Sequence, residues 1–450
     1  MMDVAGRNIV IIGAARSGVS VASLLHQKGA DVFVSDASSI SDSARTRLEK
    51  QGIPFEENGH SDKAYSAEMA VVSPGVPDEA PLVQHYLGKG NRIYSEIEAA
   101  AWFCKSPVIA VTGSNGKTTA VEWMADMWRR AGRNVLVAGN IGTAFSEIIP
   151  ETKPDTVVIL EVSSFQLDHI HRFKPEVSVL LNITPDHLNR YQNSFERYAA
   201  SKMRIFSNQD SGDTLIYGYD DPLLRDRFEG DEVLPGLLAF SARTKVDKGA
   251  GVADELLMFF ENQSQEVLMN KNEVGLPGNH NLSNGLASAL AARAFEVENE
   301  AIRESLRSFS GVEHRLELVS ELDGVRWYND SKATNVNSVW YALESFNSPL
   351  ILIMGGRDKG NDYSELRSLV EEKVHTIIAV GEGRDKIEAQ LKDSTQNFFK
   401  SESLEEAVTL AHGSAKQGEI VLLSPACASF DMFDSYEQRG ETFKQLIRHL

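Results

Sequence analysis

The stretch VIAVTGSNGKTTAVEWMADMWRR, residues 108–130, reads as a buried strand, a glycine-containing turn and an amphipathic helix in direct succession. The start of a helix presents N–H groups without intrahelical partners and the positive end of its dipole, so a turn of this kind receives an anion. Within TGSNGKTT (112–119), Gly113 and Gly116 let the backbone come close to phosphates. Lys117 has the length to reach the β- and γ-phosphates, and the Thr118 hydroxyl suits Mg²⁺. Gly113, Ser114, Asn115, Gly116, Lys117, Thr118 and Thr119 are therefore the expected ATP-binding residues. The stretch departs from the usual GxxxxGK[ST] pattern, because Val111 stands where the first glycine would be. On this loop alone the chain could equally be a kinase or a nucleotide-driven switch.

Short β-branched runs recur on both sides of this stretch: NIVIIG (8–13), DVFVSD (31–36), MAVVSPG (69–75), NVLVAG (134–139), TVVILEV (156–162), VSVLLNI (177–183), LILIMGG (350–356), TIIAVGEG (376–383) and EIVLLSP (419–425). Helical patterns separate most of them, which is the signature of parallel sheets covered by helices. They fall into three series. The first ends near Tyr94, where GKGNRIYSE reads as a linker; the second closes around SFSGVEH (308–314); the third runs to the C-terminus. The expectation is an α/β protein of three consecutive α/β domains with mainly parallel sheets, at 1–95, 96–311 and 312–450. The first and last are Rossmann-like. The central one is a P-loop ATPase domain with a small antiparallel excursion over 240–275 and a helix beginning near Asn281.

Composition narrows the function classes. Of 450 residues, 45 are Lys or Arg and 64 are Asp or Glu, a formal charge of −19. Such a surface repels phosphate backbones and anionic lipid, which argues against nucleic acid or a membrane as partner. No window approaches the ~18 apolar residues of a membrane span. Two cysteines, Cys104 and Cys427, give no disulfide framework and read as reduced, buried thiols. The chain is expected to be cytoplasmic and to work as a monomer on small molecules.

A phosphate-loop enzyme needs a second hard-oxygen ligand for Mg²⁺, typically at the end of a neighbouring strand. Glu161, closing TVVILE, stands at such a place, and Asp186 and His187 follow the next strand. Lys202 lies in FERYAASKMRIF, where a solvated helix lysine is the ordinary reading. Near the N-terminus, IIGAARSG follows a strand and precedes a helix, with Asp36 ending the next strand. This is close to a dinucleotide fingerprint, but Ala15 replaces its middle glycine. NAD and a nucleoside diphosphate both remain open for it.

TGSNGKTT, EVSSFQL, NITPDHLNRY, ASKMRI, PGNHNLSN, GVEHR, YNDSKATN and SPACASFDMF occur in this order. Together they resemble the Mur ligases of bacterial cell-wall synthesis. EVSSFQL and YNDSKATN look like the D-glutamate-adding branch, and the likeness is weakest over 220–270. It implies an ATP-dependent ligase that joins D-glutamate to UDP-N-acetylmuramoyl-L-alanine through an acyl phosphate, with one substrate handled by each domain. By resemblance, Lys117, His187 and Lys202 are catalytic. Lys202 carries a CO₂-derived carbamate, and two Mg²⁺ ions are held among Thr118, Glu161, His187 and Lys202. Asn284, Arg315 and Asp330 join the ATP site on its adenine and ribose side. Ala15, Arg16, Ser17, Asp36, Ser38, Ser73 and Gly75 line the UDP site, Arg16 either gripping a phosphate or pointing away, and Asn140 meets the muramoyl part. Lys332, Thr334, Lys359, Ser429 and Phe430 take D-glutamate. A sister ligase adding another amino acid and a folylpolyglutamate synthase are the rivals within the same chemistry. A dinucleotide-dependent oxidoreductase and an ATP-driven transport module are rivals outside it.

Overall fold

The computed structural model describes residues 2–140, 142–186, 188–230, 235–261, 264–346 and 348–450. Among them, all ten apolar runs read from the sequence form strands. The chain divides into two compact units, residues 1–273 with 283–306, and residues 274–282 with 307–450.

The first unit holds two sheets. The N-terminal sheet is parallel, in the order Phe55–Glu56, Asp31–Ser35, Asn8–Ile12, Met69–Val72, Ile93–Ser95. Its order reverses between Asn8–Ile12 and Met69–Val72. The turns that follow these two strands, at 13–16 and 73–76, therefore open the crevice where α/β sheets receive ligands. The segment GKGNRIYSE is more than a linker. Ile93 is fully buried and pairs with Ala70, so Ile93–Ser95 adds an edge strand too short to stand out as an apolar run.

The central sheet has the order Ser264–Asn270, Leu256–Glu261, Lys248–Ala253, Gly236–Phe240, Thr214–Gly218, Val177–Leu180, Val108–Thr112, Val157–Glu161, Val135–Gly139. The expected antiparallel excursion is present: Lys248–Ala253, Leu256–Glu261 and Ser264–Asn270 pair antiparallel, and the first of them extends the parallel sheet beside Gly236–Phe240. Val108–Thr112 lies between Val157–Glu161 and Val177–Leu180. The phosphate turn, Glu161 and the 181–186 loop consequently share one sheet edge. A single apolar cluster runs from Ile9 and Ile11 through Ile97 and Phe103 to Val158 and Phe173, joining the two sheets of this unit.

The second unit is built on a six-stranded sheet ordered Glu317–Leu322, Val325–Asn329, Ile420–Leu423, Leu350–Gly355, Val374–Val380, Asn397–Ser401. Only Glu317–Leu322 pairs antiparallel. Three neighbouring parallel strands, Val325–Asn329, Ile420–Leu423 and Leu350–Gly355, feed the segments YNDSKATN, SPACASF and GGRDKG at one edge. Cys427 is buried and Cys104 only half-buried, and neither forms a disulfide.

Candidate active site

The phosphate turn is fixed from both sides. Gly116 is the N-cap of helix Lys117–Arg130, with φ +84° and no side-chain cap. A left-handed residue at this place is natural only for glycine. Space demands it as well, because a Cβ on Gly116 would lie 2.3 Å from Asn284 Oδ1. Asn284, expected on the adenine and ribose side, is thus buried against the phosphate turn itself. Opposite it, the loop after Val177–Leu180 holds the turn. Ser114 N donates to Asn182 O at 3.0 Å, and Asn115 N donates to Asn182 Oδ1 at 2.9 Å. Ser114 Oγ donates to Thr184 O at 2.8 Å and meets Tyr198 Oη at 2.9 Å, so this side chain serves the loop's shape.

Two lysines converge on the turn. Lys117 Nζ donates to Gly113 O at 2.8 Å and Ser114 O at 2.9 Å. Lys202 Nζ donates to the same Gly113 O at 2.8 Å. Lys202 is not the solvated helix lysine of the ordinary reading. It is 2% exposed and sits over the Tyr198 ring. Burial first, then the nearby Lys117 charge, pull its amine well below the usual lysine range.

Thr118 Oγ1 donates to Glu161 Oε2 at 2.7 Å, and Asn140 Nδ2 to Glu161 Oε1 at 3.0 Å. A hydroxyl and a buried carboxylate this close are a hard-oxygen donor pair, which fits Mg²⁺ completed by phosphate oxygens and water. Among the described residues, no three His, Cys, Asp or Glu side chains form a ready metal cluster. His187 lies outside the described residues. A bare Lys202 ammonium is no metal ligand, whereas a carbamate there would be.

In the N-terminal crevice, Ala15 and Arg16 are exposed and Ser17 half-buried at the start of helix Arg16–Gln27. Arg16 Nη2 reaches Asn140 O at 3.2 Å, which joins two expected substrate residues from different sheets. Asp36 uses both carboxylate oxygens on backbone, accepting from Ala14 N at 2.7 Å and Ser38 N at 2.8 Å, and so braces the turn. Ser73 Oγ donates to Gly13 O at 3.2 Å, drawing the 73–75 turn to the same place.

In the second unit, Asp330 is fully buried, 3.9 Å from Arg315, and accepts from Ser424 Oγ at 2.8 Å. Burial pushes its carboxyl up to about 6, against the pull of Arg315 and the hydrogen bonds. Lys332 and Thr334 are half-buried, Lys359 and Phe430 exposed, and Ser429 buried; all stand on the three loops at one sheet edge. One residue essential to this arrangement was not read from the sequence. Arg439, 1% exposed, donates to Ser331 Oγ at 3.0 Å and Ser331 O at 2.8 Å, and to Cys427 O at 3.2 Å. It thereby ties the YNDSKATN loop to the SPACASF loop. In sequence it is one charge among several in a polar helix, YEQRGETFKQLIR.

Matches to known proteins follow this division. Residues 8–81 match the MurD N-terminal domain, 111–292 the Mur ligase middle domain, and 314–427 the Mur ligase glutamate ligase domain. The UDP-N-acetylmuramoylalanine–D-glutamate ligase of Salinibacter ruber is 47% identical, over 98% of this chain and 97% of its own length. That of Chlorobaculum parvum is 44% identical over 99% and 98%. The chain belongs to the Mur ligase family, in its MurD-like branch. Among solved structures, the UDP-N-acetylmuramate-alanine ligase MurC of Thermotoga maritima shares the fold at TM-score 0.60 and 18% identity, covering 98% of this chain and 99% of that one. An E. coli FolC structure in complex with ADP, without folate substrate, gives 0.58 and 19%, covering 78% and 92%. At such identities the likeness concerns the fold of the matched parts alone. Among the described residues, no helix is long and apolar enough to cross a membrane.

Proposed function

We propose that this chain joins D-glutamate to UDP-N-acetylmuramoyl-L-alanine at the expense of ATP, working as a cytoplasmic monomer with domains at 1–95, 96–311 and 312–450. The observation that carries the reading is the convergence of Lys117, the Thr118–Glu161 pair and buried Lys202 on one phosphate turn. The choice of D-glutamate is supported by the relatives of 42–47% identity, which span the whole chain and are named for that amino acid.

In the first step the L-alanyl carboxylate attacks the γ-phosphorus of ATP, forming the acyl phosphate and releasing ADP. In the second, the D-glutamate amine attacks the acyl carbon, loses a proton, and phosphate leaves as the amide forms. Both steps bring anions together, so fixed cations lower each barrier. Lys117 supplies one beside the γ-phosphate. Thr118 and Glu161 would hold one Mg²⁺, and His187 with the carbamate of Lys202 a second; bound there, the ions neutralise phosphate and carboxylate charge. Burial and the Lys117 charge lower the basicity of Lys202, which favours the neutral amine, the form that captures CO₂. Gly113, Ser114, Asn115, Gly116, Thr119 and Asn284 shape the ATP site, with Arg315 and Asp330 contributed by the C-terminal domain. Ala15, Arg16, Ser17, Asp36, Ser38, Ser73, Gly75 and Asn140 orient the UDP substrate. Lys332, Thr334, Lys359 and Ser429 offer donors to the two carboxylates of D-glutamate, with Phe430 beside them.

Phosphate release with UDP-N-acetylmuramoyl-L-alanine, ATP and Mg²⁺ tests the reading, with D-glutamate, L-glutamate, L-lysine and meso-diaminopimelate offered in turn. Release with D-glutamate alone is expected; release with another amino acid, or with none, overturns it.

A further inference from the structure

The geometry points to Arg190 as a positioning residue that locks the UDP-substrate turn to the catalytic segments of the central domain. Its guanidinium touches two pieces of chain besides its own. Nη1 donates to Gly75 O at 3.3 Å and Nη2 to Val76 O at 2.5 Å, so the fork fixes two successive peptide planes of the 73–76 turn. The same group lies over the Phe165 ring, 4.6 Å from its centroid. Phe165 belongs to the EVSSFQL segment that begins with Glu161.

The contacts continue inward. Phe165 stacks on Tyr191, centroids 6.0 Å apart at 17°. Tyr191 Oη donates to Asp168 Oδ2 at 3.0 Å and Ser201 Oγ at 3.2 Å, and Ser201 Oγ donates to Ser164 O at 2.9 Å. Ser201 immediately precedes Lys202. A continuous path of stacked rings and hydrogen bonds thus runs from the 73–76 turn to the helix that carries Lys202. A displacement of the turn reaches this helix through Arg190, and in-line transfer tolerates little misplacement of the reacting groups.

An arginine that merely glued the domains together would need none of this shape. Lysine could carry the charge, but a single ammonium cannot donate in a fork to two carbonyls while lying flat on an aromatic ring. The two sheets are independently joined by the Asp78–His169 pair at 2.9 Å and by their shared apolar cluster, so losing Arg190 leaves them assembled.

The inference rests on the reading of the 73–75 turn as part of the UDP site, and the test separates the two. Steady-state kinetics are measured on the full-length parent, Arg190→Ala, Arg190→Lys, Phe165→Leu and the double variant Arg190→Ala with Phe165→Leu, varying ATP and UDP-N-acetylmuramoyl-L-alanine separately. A parent that forms no product with D-glutamate removes the functional reading. With an active parent, Arg190→Ala is expected to raise KM for the UDP substrate and lower kcat, together costing roughly tenfold or more in kcat/KM, with KM for ATP within about twofold. Arg190→Lys should not rescue it. Phe165→Leu, which keeps apolar packing, should give a smaller loss of the same kind, and the double variant less than the product of the two. Unchanged kinetics in Arg190→Ala, equal losses toward both substrates, or full rescue by lysine overturn the proposal; should Arg190→Ala not fold, the lysine and leucine variants decide by the same criteria.

Discussion

Lys117 and Lys202 donate to one and the same acceptor, the carbonyl oxygen of Gly113, each at 2.8 Å. Two ammonium groups at one oxygen repel each other, and Lys202 has almost no solvent to screen it. The repulsion falls if Lys202 gives up its proton, and the proposed carbamate on the neutral amine would turn it into attraction to Lys117.

Ligation should therefore depend on dissolved CO₂. Enzyme prepared and assayed in CO₂-depleted buffer should lose rate, and added bicarbonate should restore it. Lys202→Ala should be at least about 10²-fold slower, in line with the loss of one electrostatic contributor at a phosphoryl site, and indifferent to bicarbonate. A parent enzyme equally fast with and without CO₂ would sink the carbamate reading.

Asp330 sets a pH signature on stability. Burial pushes its carboxyl from an ordinary 3.8 up to about 6, so the folded chain binds this proton more tightly than the unfolded chain. The stabilising contribution is complete below about 3.8, is lost as pH rises toward 6, and stays lost above it. At one pKa step per 1.36 kcal/mol, the full effect is about 3 kcal/mol. Asp330→Asn cannot ionise, so its thermal midpoint relative to the parent should be several degrees more favourable at pH 7.5 than at pH 4.5. Its KM for ATP should rise, since Arg315 loses its carboxylate partner. An equal midpoint difference at both pH values would show that Asp330 is not held in this state.

What the sequence disclosed follows from how each feature is encoded. The ten long strands were legible because a strand buried on both faces needs an unbroken apolar run. Ile93–Ser95 was not, since three residues of an edge strand carry only one buried apolar side chain, Ile93, and look like linker. Val325–Asn329 alternates buried and half-buried residues, and Glu317–Leu322 is broken by polar residues, so neither carries such a run. In the site, Lys117, Thr118 and Glu161 announced themselves because their chemistry is local to a turn or a strand end. Arg190 and Arg439 did not, because Gly75 and Ser331, which they hold in place, lie 115 and 108 residues away. A long-range hydrogen bond leaves no mark on its neighbours in sequence.

Lys359 is a strong test of the amino-acid site. It is exposed, yet its loop is rigid: Asp358 accepts from Tyr363 Oη at 2.7 Å and Gly360 N at 2.5 Å, and pairs with Lys386 at 3.2 Å. A cation on so well-braced a loop presents a fixed charge to a dicarboxylate. Lys359→Ala should raise KM for D-glutamate by about tenfold, as expected for losing one charge-assisted contact, and leave KM for ATP and thermal stability unchanged. Equal KM for D-glutamate in parent and variant would remove Lys359 from the site.

Gly116 tests whether the phosphate turn is shaped as described. Alanine there meets two penalties at once: a left-handed backbone at φ +84°, and a Cβ 2.3 Å from Asn284 Oδ1. The first alone costs of order 1 kcal/mol, and the second forces Asn284 or the turn to move. If strain were the whole cost, Asn284→Ala would not help; if the clash dominates, removing the amide restores room. Gly116→Ala should raise KM for ATP by at least about tenfold, the equivalent of roughly 1.4 kcal/mol. Gly116→Ala with Asn284→Ala should recover part of the ATP affinity that Gly116→Ala lost, although Asn284→Ala alone weakens it. ATP titrations of the three variants, read by quenching of the buried Trp123 in helix Lys117–Arg130, decide the matter. Purely additive losses would mean that Gly116 and Asn284 do not touch, and the turn would then be built differently.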